Sequence, residues 1–264
     1  MFPLPFANLV LYLASYVPST SLWLLSTAVA EPWRYVFWAI AVAIELIVPI
    51  LGSQSLSTTP VHPSHLPERL GLSTLIVLGE SIVSVATGTA DTNWHVASTI
   101  AAVGGFGIAA CLWWIYFNFL ETSVIIRGIS SVHIYNYGHL PILTGLILVA
   151  VGTQHVIEEA TYSALPTATR WALCGGVALY TIAIAAIRFT VCRKSVIWFP
   201  WILGGSVAIA LLLAVAGGVM PPLVLEGLLL TMLIAKVSLE IFQIKLTAQR
   251  AAPPRDRDSD PERW

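Results

Sequence analysis

Three carboxylates and one lysine stand where an apolar chain gives no local reason for them. Glu80 lies in LGLSTLIVLGESIVSV, Glu45 in AIAVAIELIVPILG, and Lys236 and Glu240 in LIAKVSLEIF. A carboxylate near the centre of a membrane span costs at least roughly 2.5–3.5 kcal/mol on insertion scales unless it meets a partner or water. Such groups bind or release protons, hold a substrate, or neutralise one another inside a helix bundle. Lys236 and Glu240 are four residues apart and share a helix face. Lys236 needs a carboxylate, and Glu240, Glu80 and Glu45 are the candidates, so a buried network of these residues is expected. Glu80 is expected to find its partner in the second or the last span. Glu226 is read as an acid in the first turn of its helix, where the macrodipole favours it.

The histidines carry weaker signals. His62, His65 and Glu68 are spaced by three, but Pro60, Pro63 and Pro67 among them argue against one helix face holding a metal. No metal and no other cofactor is therefore expected. His139 and His155 are 16 residues apart, about 24 Å along a helix, so they cannot share one ligand. Each reads as an interface residue or as a helper to a carboxylate. Glu68 and Arg69 follow Pro67, which suits a first helical position, and an acid there suits a helix N-terminus. A helix start at a cytoplasmic interface explains both charges.

The elements that must position these residues are membrane helices. Only 10% of the 264 residues are charged and 57% are hydrophobic, against about 25% charged in ordinary soluble domains. Runs near 20 apolar residues recur, each long enough to cross a hydrocarbon core of about 30 Å. The reading is an all-α, polytopic integral membrane bundle of about eight transmembrane helices. They fall at 5–27, 34–52, 70–89, 96–119, 138–156, 171–190, 198–218 and 222–246, with the boundary around Pro221-Pro222 the least defined. The strand alternation of a β-barrel is absent. MFPLPFANLVLYLAS lacks a basic n-region and reads as the first span rather than a cleavable signal. Residues 1–249 form the transmembrane domain and 250–264 a disordered, polar, cytoplasmic tail.

Arg69, Arg127, Arg188, Arg193, Lys194, Lys245, Arg250, Arg255, Arg257 and Arg263 collect on one side of such a bundle, and Arg34 and Arg170 on the other. The positive-inside rule then places both termini and the HLPERLG segment in the cytoplasm, with the protein in the plasma membrane. Gly138, Gly145 and Gly152 recur every seven residues and mark a close helix contact, and Gly104-Gly105, Gly175-Gly176, Gly204-Gly205 and Gly217-Gly218 fit the same use. Cys111, Cys174 and Cys192 form no CxxC pair. No basic patch interleaved with aromatics is present, so nucleic acid is not an expected partner. The bilayer is, and a second copy or another helix bundle is the remaining candidate.

HLPERLGLSTLIVLGESIVSV at 65–85 resembles the His-x-x-Glu-Arg-x-Gly…Leu-Gly-Glu-Ser-Ile signature of the bacterial low temperature requirement protein A family. YNYGHLPILTGLILVAVGTQHVIEEA at 135–160 resembles its later His-Leu-Pro…Gly…Ala-Val-Gly…His segment, and AIELIVPILG fits what precedes the signature. The resemblance covers roughly residues 35–160, with matched positions that include His65, Glu68, Arg69, Glu80, His139 and His155. It implies an integral membrane protein named for growth in the cold, with no established substrate or reaction. The family's Glu-Leu-Phe-Phe-Asp-Leu-Val-Phe-like amino-terminal motif is not found, so the chain is expected to lack the usual amino-terminal half.

Three functions fit. A permease-like transporter would use the intramembrane carboxylates and Lys236 for protons or substrate, through a water-accessible cavity reaching Glu80. A membrane component supporting growth in the cold would use them as scaffold. An enzyme acting on a lipid or isoprenoid-like substrate would use Glu80 or Glu68 as general acid, in an apolar pocket open toward lipid. The first is preferred, and an enzyme is not.

Overall fold

The computed structural model describes residues 6–56, 65–92, 94–118, 128–191 and 199–251. Among them no strand occurs. The helices are α1 (Phe6–Ser26), α2 (Trp33–Leu56), α3 (His65–Asp91), α4 (Val96–Tyr116), α5 (Gly128–Glu158), α6 (Thr167–Arg170), α7 (Gly176–Val191), α8 (Phe199–Ala216) and α9 (Pro222–Ala251). A π-helical stretch, Trp171–Gly175, joins α6 to α7, and a 3₁₀ turn, Gly217–Val219, precedes the two prolines that open α9.

Six helical segments among the described residues are long and apolar enough to cross a membrane: 66–90, 96–116, 132–158, 167–189, 201–219 and 222–246. They coincide with the last six expected spans, and α1 and α2 occupy the positions of the first two. Two boundaries differ from expectation. The third span starts at His65, so Pro67 lies inside the first turn; there its missing N–H costs no hydrogen bond. The fifth starts at Gly128 because nothing between Gly128 and Gly138 breaks a helix. Of the expected tail, Arg250 and Ala251 end α9 and the rest lies outside the described residues, as does His62.

The chain divides into two compact units, residues 1–63 with 127–133, and residues 64–126 with 134–264. In the first, α1 and α2 form an antiparallel pair. Trp23 packs beside Trp38 at 6.1 Å between ring centroids, and the Trp38 indole N–H donates to Ser26 Oγ at 2.9 Å.

In the second unit, α3 packs on α4, α4 on α9, and α7 and α9 both on α8. Helix α5 meets α7 along the glycine stripe. A methyl group added at Gly152 would lie 2.6 Å from the Leu173 backbone nitrogen, and one at Gly145 would lie 2.8 Å from the Gly176 carbonyl oxygen. Lipid is as apolar as the helices, so close backbone approach is what supplies their contact energy. Ile108, Leu112, Leu146, Leu173 and Leu229 are fully buried where these helices meet.

Candidate functional site

One group of polar residues in the second unit is drawn from α4, α5, α7 and the middle of α9. Lys236 and Glu240 of α9 are each 3% exposed. One turn separates them, and Arg188, near the end of α7, lies within Coulombic reach of both. Neither Lys236 Nζ nor Glu240 Oε2 makes a hydrogen bond among the described residues. Lys236 and Glu240 thus sit in a low-dielectric interior, where a charge without a close partner is expensive.

Further buried hydrogen bonds lie near this group. Tyr180 of α7 lies within electrostatic reach of Glu240 and of Tyr116, and its hydroxyl donates to the Leu112 carbonyl oxygen of α4 at 2.7 Å. Tyr116 meets His139 Nε2 at 2.9 Å, and His139 Nδ1 meets the Tyr135 carbonyl oxygen at 2.6 Å. A carbonyl only accepts, so Nδ1 carries the proton; in the neutral ring Nε2 then accepts from the Tyr116 hydroxyl. These bonds tie α4 to α7 and to α5 through side chains that are fully buried.

An open groove of about 600 Å³ runs along the bundle between α8 and α9. Trp201, Gly205 and Ile209 wall it on one side, and Leu228, Met232 and Lys236 on the other. Its lining is apolar apart from Lys236, Ser206, Thr231 and Gln243. Ser206 donates to the Ile202 carbonyl and Thr231 to the Gly227 carbonyl at 2.7 Å, so both hydroxyls are engaged within their own helices. The Gly204-Gly205 pair, expected at a close helix contact, corrects that reading: among the described residues nothing lies within 4 Å of a methyl group added at either. Gly205 lines the groove instead.

One end of the bundle is built around Glu226 and Arg170. Glu226 lies one residue beyond the first turn of α9, which corrects the first-turn position expected of it. The helix starts at Pro222, and the carboxyl points sideways into α4, 2% exposed, against Gly104 and Gly105. A methyl group at Gly104 would lie 2.9 Å from its carboxyl carbon. One carboxyl oxygen makes no hydrogen bond among the described residues. Arg170 closes the same end: its Nη1 donates to the Ala214 and Val215 carbonyls at 3.3 and 3.2 Å, and its Nη2 to Thr167 Oγ1 at 3.0 Å. His155 Nδ1 lies 3.0 Å from Glu158, which also accepts from Gln154 at 2.9 Å.

The remaining residues singled out in the sequence fall elsewhere. Glu45 accepts from Ser19 and, at 3.0 Å, from the Trp23 indole, both within its own helix pair. Glu80, expected to face a partner from α2 or α9, is exposed on α3 beside Leu72, Ile76 and Val83 and makes no hydrogen bond among the described residues. The buried side of α3 carries Thr74, Ser81 and Ser84 instead. These small hydroxyls let α3 lie close on α4, and Thr74 donates to the Leu70 carbonyl of its own helix. Glu68 and Arg69 are exposed in the first turn of α3. Of the expected network, Lys236 and Glu240 come together. Arg188, Tyr116 and Tyr180 join them without having been foreseen, because only the pairing of α4, α7 and α9 brings them near. No group of three or more His, Cys, Asp or Glu side chains among the described residues could hold a metal ion.

An uncharacterized protein of Rhizobium meliloti (strain 1021), RA0937, is 27% identical to this chain over 164 residues, which are 55% of this chain and 40% of the relative. The chain thus spans well under two thirds of that protein's length. No solved structure matches it. The family model of the bacterial low temperature requirement A protein matches residues 5–238, from the first helix to within two residues of Glu240. An all-α membrane bundle, the HLPERLG…LGESI signature and a match over most of the sequence agree, and the chain belongs to the bacterial low temperature requirement A family.

Proposed function

We propose that this chain is a permease-like protein of the plasma membrane, with both termini cytoplasmic, whose working part is the buried Lys236–Glu240 pair with Arg188 beside it. The observation that carries the reading is the burial of Lys236 and Glu240 on one helix at membrane depth, each with a polar atom that no described protein group satisfies, beside the half-buried Arg188 of a second helix. Ionisable residues in that setting are expensive, and they recur on substrate and proton pathways. Tyr180, Tyr116 and His139 extend the polar group across the bundle. Glu226, about 21 Å from Glu240 along α9 at 1.5 Å per residue, supplies a second buried carboxyl in the opposite half. Two such sites on one helix, one in each half, suit alternating access from the two sides.

Glu80 and Glu45 serve this reading as further proton or substrate contacts, with Glu68, Arg69, His65, His139 and His155 as supporting motif residues. An enzyme acting on a lipid or isoprenoid-like substrate is less well supported, because the apolar groove is walled by a cation and not by a carboxylate. The test is growth in the cold of a host lacking its own family member. The Lys236→Met/Glu240→Leu variant should be present in the membrane at wild-type amounts and fail to restore growth. Full restoration by that variant would support a scaffold role in a non-catalytic component for growth under cold stress.

A further inference from the structure

We infer that the α8–α9 groove binds a lipophilic carboxylate, a single apolar chain ending in one carboxyl group that pairs with Lys236. The groove extends from Leu228 to Gln243, about 22 Å along α9 at 1.5 Å per residue. Its volume of about 600 Å³ falls within the usual size of a small-molecule site. Gly205 leaves open the space that a side chain would take. Lys236 lines the groove, is buried, and makes no hydrogen bond among the described residues. The Lys236 ammonium has donors to give, so an anion is the complementary ligand.

Depth selects the kind of anion. Lys236 lies two residues from the centre of the 222–246 span, about 3 Å from the midplane. A phosphodiester headgroup keeps its charge and stays at the membrane surface, since an ion at that depth is costly. A carboxylic acid can take up a proton, enter the hydrocarbon in neutral form, and regain its charge beside an ammonium group. The apolar walls above and below Lys236 then hold the chain.

The proposal rests on the permease reading in naming the substrate class of the same lysine. Binding is measured without any transport step, so the two can fail separately. The experiment uses the full chain in phosphatidylcholine nanodiscs, with tritiated palmitate as probe. Saturable binding near one palmitate per chain is expected, displaced by unlabelled palmitate and far less by hexadecanol, which has the chain without the charge. Lys236→Met should weaken binding by about tenfold or more, as loss of a charge-assisted contact does. Lys236→Arg should retain it, and Gly205→Phe, which fills the groove and leaves the charges alone, should abolish it. If Lys236→Met cannot be purified, Gly205→Phe and the hexadecanol competition decide.

The proposal is overturned by absence of saturable binding to the wild type, by wild-type affinity in Gly205→Phe, or by hexadecanol competing as well as palmitate. It is equally overturned if phosphatidylglycerol displaces palmitate more strongly than palmitate itself, which would assign the lysine to a lipid headgroup. Efficient crosslinking of Ile209→Cys between two chains would overturn it too, by assigning the groove to a second copy.

Discussion

Lys236 and Glu240 should respond to mutation as partners. Removing one member of a buried pair leaves the other uncompensated and costs roughly 3–5 kcal/mol, whereas replacing both with apolar residues is often neutral or stabilising. Glu240→Leu leaves Lys236 and Arg188 facing each other, while Lys236→Met leaves Glu240 with Arg188. Thermal unfolding followed by size exclusion should therefore rank Glu240→Leu as the more damaging single change, with the double variant near wild type. Equal losses for both singles, or a double as unstable as the worse single, would contradict this arrangement. The i, i+4 spacing made the pair legible in the sequence. Arg188, Tyr116 and Tyr180 were not, because their proximity depends on which helices pack together. Glu80 was legible as an anomaly, but its exposed face could not be read, since α3 buries small hydroxyls and turns large apolar residues outward, the reverse of the pattern that orients a helix in water.

At the scale of the helices, glycines that look alike in the sequence should behave in opposite ways. Gly152→Ala drives a methyl group into the Leu173 backbone and should cost about 1–3 kcal/mol, the usual range for overpacking. Gly204→Ala meets nothing within 4 Å and should gain about 0.5–1 kcal/mol from reduced backbone freedom. Parallel melting curves of the two variants check this, and similar shifts would contradict the packing of α5 on α7. Arg170→Leu removes three donated hydrogen bonds, two of them to carbonyls at the end of α8. It should lower the melting temperature, and Arg170→Lys should restore only part of the loss because a single ammonium lacks the fork. The seven-residue glycine spacing disclosed α5 as a packing helix. It did not disclose the α8 hollow, since a glycine pair reads the same at a contact and at a groove.

For the whole molecule, the expected orientation is open to direct measurement. A fluorescent protein fused after Ala251 should fold and fluoresce in the cytoplasm, and alkaline phosphatase inserted at Tyr162 should be active outside; the reverse pattern would invert the bundle. Composition and apolar run lengths were enough to read the class and the six spans among the described residues, because the bilayer imposes length and hydropathy on every crossing helix. Function was far less legible, since the family signature marks membership without chemistry and the buried charge group is assembled from distant parts of the chain. The central claim is that this group moves charge or substrate and does not merely hold helices together. Its most direct test is flux across proteoliposomes containing a pH-sensitive dye, comparing wild type with the Lys236→Met/Glu240→Leu variant under an imposed proton gradient. The account predicts that wild type dissipates the gradient, and that the variant, equally well folded and inserted, leaves it at the rate of empty liposomes. Identical fluxes from the two proteins would contradict it.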